Sequence, residues 1–107
     1  HHLRCTIAMN LFELEKAQKF KEEGNTFFNN KNYAEAIKSY SAAIDLRNWP
    51  STETQLRSVL LTNRAACYIQ LGSNDDLMKA AQDCTEALSL HANYGKALYR
   101  RAQAFEA

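Results

Sequence analysis

The chain has 107 residues, 46% of them hydrophobic, and a net charge of +1 from 13 basic and 12 acidic side chains. That apolar content suffices for one packed domain and argues against disorder. The balanced charge excludes a global field that would draw in nucleic acid or a membrane surface, so recognition by charge has to come from local placement.

Only three glycines and one proline occur, and β-branched runs are scarce, which predicts an all-α fold. Cys5, Cys67 and Cys84 are odd in number and lack framework spacing. They suit buried thiols in a reducing, cytoplasmic compartment better than disulfides. The sequence shows no signal peptide, bilayer-spanning apolar run or lipidation signal, although an internal fragment of a longer protein would carry none. Residues 1–9 read as a tag remnant or flexible segment, with a metal site of His1, His2 and Cys5 as the weaker alternative.

A helical pattern starts at about Asn10, with Phe20, Gly24, Phe27 and Phe28 recurring at threes and fours. Asn29, Asn30, Lys31 and Asn32 break it with turn-prone residues. A second helix carries Tyr33, Ala36, Ile37, Tyr40, Ala43 and Ile44 on one face and ends near Leu46. Asn48, Trp49, Pro50 and Ser51 form a loop, since Pro50 disfavours helix at Trp49. Trp49 reads as loop packing. A third helix is expected from Ser51 or Thr52, where Thr52 and Gln55 have capping-box spacing, through Leu56, Leu60, Asn63, Cys67 and Leu71. Gly72, Ser73, Asn74 and Asp75 should stop it. The fourth helix spans roughly 76–90, with Leu77, Ala80, Ala81, Cys84, Ala87 and Leu88 as its apolar stripe. After a turn at His91, Ala92 and Asn93, a fifth helix runs from Tyr94 to the end and carries Leu98, Ala102 and Phe105. The short turns predict antiparallel hairpins.

Five polar residues stand out against this pattern: Lys21 and Asn25 on the first helix, Asn63 on the third, Lys96 and Arg100 on the fifth. Both pairs have i, i+4 spacing and so share a helix face. If the three helices stack side by side, one surface collects three cations and two amides, which suits a carboxylate-rich ligand. Taken singly, each is more often a solvated surface residue, and Asn63 an ordinary helix–helix hydrogen-bonding group.

The hairpins also repeat. Small residues at Gly24, Ala65 and Ala102 are each followed three positions later by an aromatic, Phe27, Tyr68 and Phe105. In the partner helices Ala36, Tyr40, Ala43 and Leu46 match Ala80, Cys84, Ala87 and Leu90. Small residues let helix backbones approach while large ones fill the adjoining gaps. The chain thereby resembles the tetratricopeptide repeat, whose period is about 34 residues. The extra residues fall in turns near 47–55 and 73–76, where insertion is tolerated. The resemblance implies helix hairpins stacked as a right-handed superhelix of about five helices. It divides the domain, 10–107, into a first repeat at about 17–50, a second at 51–92 and a partial third at 93–107. The partial third repeat would leave the apolar face of the last helix, with Leu98 and Phe105, without its usual cover, and self-association through that face is the physical risk.

In this family the first helix of each pair lines a concave groove, and all five polar residues lie on first helices. The set resembles the dicarboxylate clamp of cochaperones, which holds the end of a chaperone tail finishing Glu-Glu-Val-Asp. The match reads Lys21-x-x-Gly24-Asn25, then Asn63-Arg64-Ala65-Ala66, then Lys96-x-x-x-Arg100-Arg101. It implies that Lys21, Asn25 and Asn63 donate to the main-chain carboxylate, that Lys96 pairs with the aspartate side chain, and that Arg100 holds that side chain or a backbone carbonyl. Phe28 and Ala66 are weaker candidates, against the preceding valine. The implied partners are the seventy- and ninety-kilodalton heat-shock chaperones, with no cofactor and no metal. A repeat scaffold that holds an internal peptide or helix is the rival reading. An enzyme is disfavoured, since the chain offers no nucleophile–base pair, glycine-rich phosphate loop or metal-ligand cluster.

Overall fold

A computed structural model describes residues 11–106. The helices are α1 (Leu11–Asn29), α2 (Tyr33–Ile44), α3 (Thr54–Leu71), α4 (Asn74–Leu90) and α5 (Gly95–Glu106), with a 3-10 turn at Ser51–Glu53 before α3. Each packs on the next, and α3 also touches α5 directly. The result is an elongated stack of 49 × 28 × 20 Å. The segment read as a tag remnant, and with it the alternative metal site at His1, His2 and Cys5, lies outside the described residues.

The stack is close because its contact positions are small. Ala17, Ala36, Ala43, Ala65, Ala80, Ala87 and Ala97 are all fully buried. Tyr40, Leu60 and Leu61 fill the space beside them. Two apolar clusters result. One joins Ala17, Ala36, Tyr40, Leu60 and Leu61; the other joins Ala65, Ala80, Cys84 and Ala104. Gly24 is a point of close approach: a Cβ there would sit 2.5 Å from a ring carbon of Tyr40. Only glycine lets α1 lie against that ring. Phe105 and Leu98 stay exposed on α5. Phe105 lines an open depression of about 840 Å³ with Leu77, Met78 and Ala81 of α4.

Three helix boundaries differ from the sequence reading. The expected Thr52–Gln55 capping box is absent: α3 begins at Thr54 behind Glu53, which makes no side-chain cap, and the preceding turn closes through the Glu53 amide on the Pro50 carbonyl at 3.0 Å. The capping box belongs instead to α4. Ser73 Oγ accepts from the Asp76 amide at 3.0 Å and Asp76 Oδ2 accepts from the Ser73 amide at 3.3 Å. Ser73 and Asn74, expected in the stop after α3, instead start α4: Ser73 is its cap and Asn74 its first helical residue. The α2 helix ends at Ile44 rather than Leu46, since Leu46 donates to the Ala43 carbonyl in a tightened last turn. Gly72 ends α3 at φ 80°, with its amide on the Tyr68 carbonyl. Trp49 packs on the core and donates from Nε1 to the Ile44 carbonyl at 3.2 Å.

Cys67 and Cys84 are free thiols with no exposed surface. Burial pushes Cys67 from 9.0 up to about 12. Burial, with the nearby Asp83 charge, pushes Cys84 up to about 11. Burial also raises the Tyr40 phenol. Above about pH 9 the unfolded chain releases protons that the folded chain keeps. The contribution of these groups to stability is therefore full below that pH and is lost as pH rises toward 12. Urea midpoints measured from pH 7 to 10.5 should decline above pH 9, and a Cys67→Ala/Cys84→Ala double variant should flatten the decline.

Candidate carboxylate-binding site

Lys21 and Asn25 lie one turn apart on α1, Asn63 mid-way along α3, and Lys96 and Arg100 one turn apart on α5. Asn25 and Asn63 are in direct contact: Asn63 Nδ2 donates to Asn25 Oδ1 at 3.4 Å. That bond ties α1 to α3 across α2, which packs on both. Lys21, Lys96 and Arg100 make no hydrogen bond to this amide pair.

The three cations have no acidic partner among the described residues. The ion pairs there are Lys38–Glu35, Arg57–Glu86 and Arg64–Asp83. Arg100 donates from Nη1 to Gln103 Oε1 at 2.8 Å, and its guanidinium lies 5.5 Å from the Tyr99 ring centre. Arg100, Lys21, Asn25 and Asn63 are half-buried and Lys96 is exposed. Positive charge without internal neutralisation is open to an anion. Phe28 is half-buried and meets Tyr33 edge-on at 5.4 Å. Ala66 keeps only 7% of its surface exposed, which leaves it little area for a ligand.

Three features around the site escaped the sequence reading. Tyr40, read as a core aromatic, donates its hydroxyl to Asn25 Oδ1 at 2.5 Å. Gln103 holds Arg100. Arg64, beside Asn63, turns away from the site and locks the stack: its Nε and Nη2 donate to the two Asp83 oxygens at 2.8 and 2.7 Å, and its Nη1 to Ser41 Oγ at 3.0 Å. Donation to the Asp83 carboxylate raises the Arg64 pKa, so the guanidinium stays charged. Burial pushes the Asp83 carboxyl up while Arg64 pulls it back. His91, read as a structural turn residue, stacks on Tyr94 with ring centres 5.3 Å apart. Among the described residues no group of three His, Cys, Asp or Glu could hold a metal ion, and no helix is long and apolar enough to cross a membrane.

Comparison with known proteins gives this architecture its relatives. No protein-family model matches the chain. It is 39% identical over 93 residues to protein unc-45 homolog B of Xenopus tropicalis, covering 87% of the chain and 9% of that protein. It is 38% identical over 106 residues to the mitochondrial import receptor subunit TOM70 of Mus musculus, covering 99% of the chain and 16% of that protein. Among solved structures, the first TPR of Spaghetti (RPAP3), bound to the HSP90 peptide SRMEEVD, superposes with a TM-score of 0.71 at 37% identity, over 84% of this chain and 64% of that one. The chain has the tetratricopeptide-repeat fold, and its relatives and structural neighbours are proteins with such domains. It spans about a tenth to a sixth of the length of the two full-length relatives.

Proposed function

We propose that the chain is a binding module that takes the free C-terminus of a chaperone tail ending Glu-Glu-Val-Asp, and that Lys21, Asn25, Asn63, Lys96 and Arg100 hold its terminal carboxylates. The observation that supports this reading most is that Lys21 on α1 and Lys96 and Arg100 on α5 have no acidic partner among the described residues. A C-terminal aspartate offers two carboxylates a few ångströms apart, and a donor-rich surface of this kind complements them. The HSP90 peptide in the RPAP3 structure supports the tail as ligand. The module does no chemistry of its own: it tethers a chaperone, of either the seventy- or the ninety-kilodalton class, to whatever the rest of the protein does, in a cytosolic setting that the free thiols suit.

Each charged hydrogen bond contributes about 1.5–3 kcal/mol. Side-chain ordering and desolvation offset much of it, so the affinity is moderate. A fluorescent SRMEEVD peptide should bind saturably and more weakly as salt rises. Its C-terminally amidated twin should bind at least about tenfold more weakly, since it loses one charge and one acceptor oxygen. Equal binding of the two peptides would reject the clamp. It would favour instead a groove that grips an internal segment, a reading that the resemblance to an import receptor keeps in view.

A further inference from the structure

The acceptor side of Asn25 raises a chemical problem for a carboxylate site. An asparagine amide carries two donors and one carbonyl acceptor. Turned toward the ligand, that carbonyl would face a carboxylate oxygen and repel it. In the structure Asn25 Oδ1 is already occupied twice, by the Tyr40 hydroxyl at 2.5 Å and by Asn63 Nδ2 at 3.4 Å. With the Asn63 amide placed as it is, the opposite orientation of Asn25 would bring Asn25 Nδ2 against Asn63 Nδ2, donor against donor. Asn25 Nδ2 donates to no described residue, yet it is not among the buried atoms that lack a partner, so it keeps contact with solvent.

Tyr40 is held in place to do this. The residue retains 1% of its surface. Its ring lies against Gly24, the residue before Asn25, so closely that a Cβ there would be 2.5 to 2.8 Å from three ring carbons. The missing side chain at position 24 and the phenol at position 40 thus form one device on two helices. We propose that Tyr40 is a positioning residue of the site: by taking the Asn25 carbonyl, its hydroxyl leaves only donors facing the groove. This deepens the clamp reading and rests on it. Tyr40 itself does not touch the ligand.

Tyr40→Phe keeps the ring against Gly24 and removes only the hydroxyl. The expected result is a loss of about three- to tenfold in affinity for the acid SRMEEVD peptide, as for one lost hydrogen bond. Affinity for the amidated twin should change much less, so the ratio between the two peptides falls. In an Asn25→Ala background the same substitution should have no further effect on acid-peptide affinity, because the two residues act as one unit. An undiminished acid-to-amide ratio in Tyr40→Phe, or an equal further loss in the Asn25→Ala background, would overturn the proposal. If the unsubstituted chain binds neither peptide, the clamp reading fails by itself. The side-chain amide protons of Asn25, followed by NMR in the chain and in Tyr40→Phe, then decide the positioning role: a single ordered amide that becomes mobile without the hydroxyl supports it, and unchanged signals reject it.

Discussion

Asp83→Ala should lower the unfolding free energy by about 3 kcal/mol, the largest stability effect expected of any polar substitution in this chain. Asp83 and Arg64 form a two-bonded pair at 2.7 and 2.8 Å, with 8% and 18% of their side-chain surfaces exposed. Removing the carboxylate leaves a guanidinium enclosed between α2, α3 and α4 with only Ser41 to accept from it. The cost of breaking such a pair is mostly that stranded charge rather than the lost attraction. The partial exposure of Arg64 puts the loss at the lower end of the usual range, since water can reach part of the head group. For a domain of this size the melting temperature should fall by more than about 10 °C. Asp83→Asn keeps the volume and one acceptor and should cost less. The Arg64→Met/Asp83→Leu pair should recover much of the loss, because it leaves no charge behind. Urea unfolding of the four proteins measures this directly. An Asp83→Ala variant within about 0.5 kcal/mol of the parent would mean that the pair is only a surface contact.

Lys21→Ala should have the opposite profile: little change in stability and a loss of about ten- to a hundredfold in affinity for the acid peptide. Lys21 has no acidic partner among the described residues, so its ammonium supports no internal ion pair. It lies within α1, where alanine is the better helix former. What the substitution removes is a donor and a charge one turn from Asn25. The salt dependence of peptide binding should also flatten, since one screened attraction has gone. Lys38→Ala is the matched control. Lys38 is an exposed lysine paired with Glu35 at 3.1 Å on α2, and its loss should leave peptide affinity unchanged. If Lys21→Ala and Lys38→Ala behave alike in anisotropy titrations, charge on this surface is not directed at the ligand.

The contrast between these two predictions follows how each residue could be read. Lys21, Asn25, Lys96 and Arg100 were legible because a helix turns spacing into geometry: four positions apart means one face. The same periodicity placed the helices and set alanines and cysteines in the core, where Cys67, Cys84 and Ala65 are found fully buried. Helix starts were less legible. Thr52–Gln55 and Ser73–Asp76 both have capping spacing, and turn formers and caps are the same residue types. The direction from which the chain arrives decides which pattern closes. Pro50 opens a 3-10 turn ahead of α3, whereas the chain leaves Gly72 in the left-handed region and Ser73 meets α4 with an extended backbone.

Sequence by itself therefore determined the class of fold and its helical repeat, and it singled out the residues proposed to meet a carboxylate, because each reading depends on local spacing. Only the tertiary structure decided how those residues are held. Tyr40 reaches Asn25 across 15 positions, Arg64 reaches Asp83 across 19 and Ser41 across 23. At such separations no helical period relates two side chains, and their meeting depends on how closely two helices approach. Here that approach is set by a missing Cβ at Gly24 and by the buried alanines of the stack.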